Sequence, residues 1–122
     1  MAWKFEAGIP LANQIIGKLK SDIITGVYKP GEPFPTVRDL AFTASVNPNT
    51  MQKALSRLEE EGLLVTIGTQ GRMVTDNEEI IKHIAKEETE KQIKAIIASA
   101  KSLSISKDEL IEYISKGWCD NE

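Results

Sequence analysis

A segment rich in proline and glycine, residues 25–35 (TGVYKPGEPFP), constrains the fold of this chain more than any other feature. Its three prolines and two glycines exclude a helix through this stretch, because proline lacks the backbone N–H and clashes with the preceding helical turn. The segment therefore predicts an extended loop. One helix must end before this loop, and the next must begin after it.

Helical patterns lie on both sides of the loop. Pro10 suits the first turn of a helix over residues 10–25, because the N–H that proline lacks has no partner there. One apolar stripe of this helix consists of Leu11, Ile15, Leu19 and Ile23. After the loop, Thr36 can cap a short helix over residues 36–44, with Asp39 three residues on completing a capping box.

A third helix has the clearest start in the chain. Asn47 is a favoured N-cap, and Pro48 occupies the first helical position. Gly62 ends the helix, and the sequence that follows, LLVTIGTQGRMVT, has two β-rich runs around a turn that contains glycine, which predicts a β-hairpin. Three helices followed by a hairpin is the order of a winged helix-turn-helix, in which residues 36–61 form the helix-turn-helix and its second helix is the recognition helix.

The rest of the chain predicts two more helices. Asp76 or Asn77 can cap a long helix that begins at Glu78 and extends to about residue 102. Ser106 and Glu109 form a capping-box pair for a last helix, which we expect to end at Gly117. The predicted fold is therefore mainly α with a small β-hairpin: a winged helix-turn-helix domain over residues 1–75 and a two-helix dimerisation tail over residues 76–122.

The dimerisation role of the tail follows from its size. Two amphipathic helices are too few to bury their apolar faces alone, so they must pack on the preceding domain or on a second copy of the chain. The predicted dimerisation residues are Ile80, Ile84, Ile93, Ile97, Leu110 and Ile114.

The net charge of −3 argues, taken alone, against nucleic-acid binding, because phosphate contacts need clustered lysine and arginine. The charge is unevenly distributed. Residues 1–75 hold eight basic and seven acidic residues, and residues 76–122 hold seven lysines and eleven acids. The excess acid is thus confined to the tail, and DNA binding by the first domain must depend on the placement of a few groups.

The outer face of the recognition helix carries the side chains best suited to DNA. Asn49 and Gln52 can pair with adenine, and Lys53 can reach guanine or phosphate. A merely solvated helix face is the alternative, and the position in a helix-turn-helix favours DNA. For Arg38 the alternative is a surface pair with Asp39 or Glu32. The predicted DNA-contacting residues are Thr36, Arg38, Asn47, Asn49, Thr50, Gln52 and Lys53, with Thr69, Gln70 and Arg72 at the tip of the hairpin.

Several classes of protein are disfavoured by composition. One cysteine and one histidine cannot supply a closed zinc site, a disulfide or a triad, so we expect no metal, no cofactor and no enzymatic activity. His83 is interpreted as solvated, and Cys119 has no evident role. No apolar run reaches the length of a membrane span, and the first residues lack a signal-peptide pattern, so we expect no membrane association and a cytoplasmic location.

Residues 9–74 resemble the GntR family of bacterial transcription regulators through four linked segments: IPLANQI, ITGVYKPGEPFPTVRDLA, VNPNTMQKALSRLEEEGLL and GRMV. Because only a short tail follows Thr75, the chain is similar to the YtrA-type subfamily. The resemblance implies a homodimer that binds a two-fold symmetric, double-stranded DNA operator and acts as a repressor. The two-helix tail offers little concave volume for a small-molecule effector beyond the dimer seam, where a small ligand could still bind, and the sequence does not identify an effector. The alternative that we consider is a winged-helix protein-interaction module without DNA binding, which the acidic net charge leaves open.

Overall fold

The computed structural model describes residues 3–120, which form five helices and one antiparallel pair of strands. In chain order these are α1 (Leu11–Ile24), α2 (Val37–Ala44), α3 (Pro48–Glu60), β1 (Leu64–Thr66), β2 (Arg72–Val74), α4 (Glu78–Ser102) and α5 (Lys107–Asp120). The predicted fold class, mainly α with a small hairpin, is confirmed. The outer limits of the two predicted domains, residues 1 and 122, lie outside the described residues. Over residues 3–120, no helix has the length and apolarity needed to cross a membrane.

The starts of α2, α3 and α4 are fixed by side chains that the sequence indicated, whereas Pro10 precedes α1 and forms no side-chain cap. The Thr36 hydroxyl accepts a hydrogen bond from the backbone N–H of Asp39 (3.1 Å), and the Asn47 side chain accepts one from the N–H of Asn49 (2.7 Å). Of the two candidates for the start of α4, Asn77 is the residue whose side chain accepts from a helical N–H, that of Glu79 (3.1 Å). Each cap satisfies a backbone donor that has no partner within its own helix.

The chain divides into two compact units between Ile84 and Ala85, rather than after Thr75 as predicted. The first unit has one continuous apolar core, because α1, α2, α3 and the hairpin each turn a stripe of apolar side chains inward. The largest fully buried side chains of this core are those of Ile15, Leu19, Ile23, Met51, Leu55, Leu58, Leu63, Leu64 and Val74.

The start of α4 accounts for the later boundary. Ile81 and Ile84 are buried in the core of the first unit, and Ile80 packs against it. We predicted dimerisation contacts for Ile80 and Ile84, whereas the structure uses both side chains within the chain itself. The sequence shows that the two residues share a helix face but not which surface covers that face.

The proline-rich loop does more than connect α1 with α2. β1 and β2 pair in the register Leu64 with Val74 and Thr66 with Arg72, and the loop lies along the other edge of β2. There Phe34 N–H donates to the carbonyl of Arg72 (2.8 Å), and Gly31 N–H donates to that of Val74 (2.9 Å). The extended backbone that proline imposes thus presents its polar groups to an otherwise open strand edge.

The second unit contains the rest of α4 and the whole of α5. The predicted capping box at the start of α5 is confirmed, because Ser106 N–H donates to Glu109 Oε1 and Glu109 N–H donates to Ser106 Oγ, both at 3.1 Å. The predicted end at Gly117 is wrong, since α5 continues to Asp120. A glycine within a helix costs only about 1 kcal/mol relative to alanine, and no proline follows to stop the helix.

Candidate nucleic-acid interface

The recognition helix α3 has two distinct faces. Met51, Ala54, Leu55 and Leu58 are fully buried in the core. The side chains of Asn49, Gln52 and Lys53 are exposed on the opposite side, and Thr50 and Ser56 are half-buried between the two faces. Burial of one face fixes the rotation of α3 about its axis, so the same three polar side chains always point outward.

Amide and hydroxyl groups lie at the starts of both helices of the helix-turn-helix and along α3. The side-chain oxygens of Thr36 and Asn47 accept the capping bonds, which leaves the hydroxyl proton of Thr36 and the amide N–H groups of Asn47 as donors. Along α3, Gln52 Nε2 donates to Ser56 Oγ at 3.2 Å, a bond that orders the Gln52 side chain on the exposed face. These donors suit phosphate oxygens and base edges.

Arg38 lies in the first turn of α2 with an exposed side chain. Among residues 3–120, no carboxylate forms an ion pair with it, and the carboxylate of Glu32 accepts instead from the backbone N–H of Lys29 (3.1 Å). The surface pair with Asp39 or Glu32 that we considered is therefore not formed. A cation near the positive end of a helix dipole is unfavourable for the helix itself, so the charge of this arginine does not stabilise α2.

A second cation, Arg57, lies on α3 one turn beyond Lys53. The two residues line an open hollow of about 390 Å³ together with Ile16, Gln52, Ser56 and Glu60. We did not predict a role for Arg57, although its spacing of four residues from Lys53 places both on the same side of the helix.

The hairpin, which we call the wing (residues 64–74), presents two of its three predicted residues at the tip. Thr69 and Gln70 are exposed in the turn, where Ile67 N–H donates to the carbonyl of Gly71 (2.7 Å). We predicted that Arg72 also lies at the tip. It is instead the first residue of β2, and its side chain is only 18% exposed.

The carboxylate of Glu59, in the last turn of α3, accounts for the placement of Arg72. Arg72 Nε donates to Glu59 Oε1 (2.8 Å), and the hydroxyl of Thr66 donates to Glu59 Oε2 (2.7 Å). The hydrogen bond from Arg72, followed by that from Thr66, holds the pKa of Glu59 below its ordinary value. The sequence contains no local signal for this cluster, because the three residues meet only through the packing of the wing on α3.

A second acid at the same end of α3 is also paired. Glu61 Oε1 lies 3.1 Å from Nζ of Lys20, a residue of α1 that is only 8% exposed. Negative charge is unfavourable at the C-terminal end of a helix dipole, and each of these two acids has a cation within bonding distance. The pair joins α1 to the end of α3 across a large sequence separation, which is why sequence patterns do not reveal it.

The predicted dimerisation residues fall into two groups. Ile84 belongs to the core of the first unit and Ile80 packs against it, as described above. Ile93, Ile97 and Ile114 of the second unit are each between 41% and 48% exposed, and Leu110 is half-buried. Within the part of the chain that the structure describes, no three His, Cys, Asp or Glu side chains are grouped as metal ligands.

The helix-turn-helix and wing of the first unit match a known family of proteins. The family model for bacterial regulatory proteins of the gntR family matches residues 11–74, just over half of the chain. The chain belongs to the GntR family. It is a DNA-binding transcription regulator with a winged-helix fold, which decides against the interaction module without DNA binding that we considered.

Relatives of this GntR protein extend the similarity beyond the first unit. The HTH-type transcriptional repressor YtrA of Bacillus subtilis is 33% identical over 88% of this chain and 83% of its own. A GntR family transcriptional regulator from Listeria monocytogenes has the same fold, with a TM-score of 0.88 at 28% identity over 92% of this chain and 98% of its own. The DNA-binding domain of AraR, solved in complex with operator ORX1, matches at a TM-score of 0.55 and 26% identity, over 59% of this chain and 93% of its own.

Proposed function

We propose that this GntR protein is a homodimeric repressor that inserts one recognition helix into each half of a two-fold symmetric operator. The observation that carries the proposal is the two-sided α3, whose buried leucines orient Asn49, Gln52 and Lys53 toward solvent. A major groove admits one α-helix, and amide and lysine side chains are suited to the base edges within it. Repression is proposed by similarity to YtrA, which is named a repressor.

The proposed interface assigns a role to each group of residues. Thr36, Arg38, Asn47 and Thr50 approach the phosphates that flank the groove, and the side chains of Asn49, Gln52 and Lys53 face the bases. Thr69, Gln70 and Arg72 of the wing follow the adjacent backbone or minor groove. The activity needs no catalytic step and takes place in the cytoplasm, where bacterial DNA lies.

The proposal of a homodimer is based on the second unit. Apolar side chains at half exposure continue from α4 into α5, among them Ile93, Ile97 and Ile114. A second copy of the chain offers the same surface, and a two-fold dimer pairs such a surface with itself. Two linked recognition helices also raise the affinity for a two-fold site far above that of one.

The test begins with the duplex that the full-length protein retains from a random DNA pool. Replacing Arg38, which has no ion pair in the described part of the chain, should weaken binding to this duplex by about tenfold to a hundredfold, since one phosphate or guanine contact is lost. Lys82→Ala is the matched control, because it removes one exposed positive charge outside the helix-turn-helix. Equal affinities of the Arg38→Ala and Lys82→Ala proteins contradict the proposed interface.

Salt dependence provides a second measurement. About 6 to 10 phosphate contacts per dimer give a steep loss of affinity as salt rises, with a logarithmic slope of roughly −0.9 per contact. A slope near zero would contradict an interface built on phosphate contacts.

A further inference from the structure

Glu59 connects the recognition helix with both strands of the wing. One of its carboxylate oxygens accepts from Arg72 Nε (2.8 Å), and the other accepts from the Thr66 hydroxyl (2.7 Å). Thr66 and Arg72 are directly opposite each other in the strand register and form the last pair of the ladder before the turn. A single side chain of α3 therefore holds the wing at the point from which its tip projects.

The wing needs such a contact because it is small. Each of its strands has three residues, and an isolated two-stranded hairpin is marginally stable in water. The proline-rich loop supports the far edge of β2, and β1 has no second neighbouring strand in the two-stranded sheet. The direction of the tip thus depends on what anchors Thr66 and Arg72.

We propose that Glu59 is a positioning residue for DNA binding, which fixes the angle between the wing and the recognition helix so that both reach DNA together. The inference rests on the proposed function, because it needs the wing to contact DNA. Glu59 itself touches no DNA in this arrangement. It acts through Arg72 and Thr66.

The charges around Glu59 agree with this role. An acid near a DNA-binding surface repels phosphate, yet the Arg72 guanidinium neutralises this one and uses a single N–H to do so. A guanidinium has five N–H donors, and no other side-chain bond of Arg72 is formed within residues 3–120. The remaining donors of the anchored guanidinium can bind a phosphate oxygen.

Replacement of Glu59 by glutamine gives a test in which positioning and simple electrostatics predict opposite results. Loss of a negative charge near DNA should by itself strengthen binding. Glutamine can still accept from Arg72 through its amide oxygen and can donate to the Thr66 hydroxyl through its amide nitrogen, but neither bond then has the help of the carboxylate charge, so both strands are held more weakly. We expect Glu59→Gln to bind the selected duplex about tenfold more weakly than the wild-type protein, the size of effect that loss of one charge-assisted hydrogen bond produces.

Glu60→Gln is the matched control. Glu60 is the next residue of α3, its side chain is exposed, and the substitution changes the net charge by the same amount. We expect it to bind as tightly as wild type or up to about threefold more tightly, through reduced repulsion of phosphate.

A second pair of variants tests the other strand. Thr66→Val removes the hydroxyl that donates to Glu59 and keeps the shape and β-propensity of the side chain, whereas Thr66→Ser keeps the hydroxyl. Positioning predicts weaker DNA binding for Thr66→Val and near wild-type binding for Thr66→Ser. Amide hydrogen exchange at Ile67 and Gln70, whose N–H groups bond within the turn, should become faster in Glu59→Gln and in Thr66→Val.

The outcomes separate this inference from the proposed function. If the wild-type protein retains no DNA from the pool, the result contradicts both the proposed function and the role of Glu59, which depends on it. If the wild-type protein binds and Glu59→Gln binds at least as tightly as Glu60→Gln, the positioning role alone is overturned. Thermal unfolding of each variant shows whether it is folded, and if Glu59→Gln does not fold, equal affinities of Thr66→Val and Thr66→Ser overturn the role instead.

Discussion

The two units of this protein differ in how far each can bury its own apolar side chains. The first unit, which ends at Ile84, contains the whole continuous core, with Leu55 and its neighbours fully buried. Over residues 85–120 of the second unit, Ala100 is the only buried residue, and Ile97, Leu103 and Trp118 remain substantially exposed. The first unit therefore has a core of its own, whereas most large apolar side chains of the second remain open to solvent.

This difference agrees with the composition of the two parts. The DNA-binding surface belongs to the unit with the core, where a rigid scaffold holds polar side chains at fixed positions. Exposed large apolar side chains occur in both units, Phe42 among those of the first, but in the acidic second unit they lie on helices with almost no buried side chains. Each half-exposed isoleucine there leaves about 1 kcal/mol of transfer free energy to be gained on burial. Under the proposed function, DNA recognition and dimerisation belong to separate units.

The largest expected effect concerns the core of the first unit. Leu55→Ala removes a side chain that is 0% exposed at the centre of α3, and we expect it to lower the free energy of unfolding by about 2 to 5 kcal/mol. Urea denaturation at one fixed protein concentration measures this change.

Phe42→Ala is the control for the core prediction. Phe42 belongs to α2 in the same unit, and its side chain is 86% exposed, so its truncation should change the free energy of unfolding by less than about 0.5 kcal/mol. Similar losses for Leu55→Ala and Phe42→Ala would show that the two sites are not buried differently in solution.

The next effect concerns assembly through the second unit. Ile97→Asp places a charge among the exposed apolar side chains of α4, and we expect the dimer to dissociate about a hundredfold more readily, because an unpaired charge is costly to bury at an interface. Sedimentation equilibrium measures the dissociation constant.

Ala95→Asp introduces the same charge on the side of α4 away from Ile93 and Ile97 and serves as the control. The core of the first unit should unfold at the same temperature in both variants. An Ile97→Asp protein that remains as dimeric as Ala95→Asp contradicts the assembly role of this face.

The sequence predicted what depends on near neighbours along the chain. The caps at Thr36, Asn47 and Ser106 each involve a residue two or three positions away, and all three are formed. The outward face of α3 was predicted for a similar reason, since helical periodicity alone separates it from the buried one.

Sequence patterns did not reveal the contacts between residues that are distant along the chain. The bonds of Glu59 to the wing and the Lys20–Glu61 pair depend on how elements pack, and the placement of Arg72 in β2 depends on the register of the hairpin. The core role of Ile84 was missed because periodicity identifies an apolar face without naming its neighbour. The sequence thus predicted which side chains of the candidate site are exposed. It did not predict the contacts between distant residues that hold those side chains in place.

The smallest expected effect is a change in the pKa of a carboxyl group, which can be compared between one glutamate of each unit. The pKa of Glu109 lies below its ordinary value because the backbone N–H of Ser106, and then its hydroxyl, bond to the ionised carboxylate. Glu59 has a lowered pKa through its bonds from Arg72 and Thr66. A carboxyl group whose pKa is lowered by folding stabilises the fold above its unfolded pKa, and this stabilisation is lost as the pH falls through the lowered value.

The pKa of both carboxyl groups should therefore lie below the ordinary value for glutamate in the wild-type protein. Carboxyl carbon shifts in NMR spectra measure the midpoints of the two titrations.

In the Ile97→Asp variant, the titration midpoint of Glu59 should equal that of the wild-type protein, because the first unit has its own core. The midpoint of Glu109 should rise toward the ordinary value, because α5 has few internal contacts to hold its first turn once the partner is gone. A Glu109 midpoint equal to that of Ala95→Asp would mean that the capping box alone maintains α5, and the second unit would then be less dependent on a partner than its exposed side chains indicate.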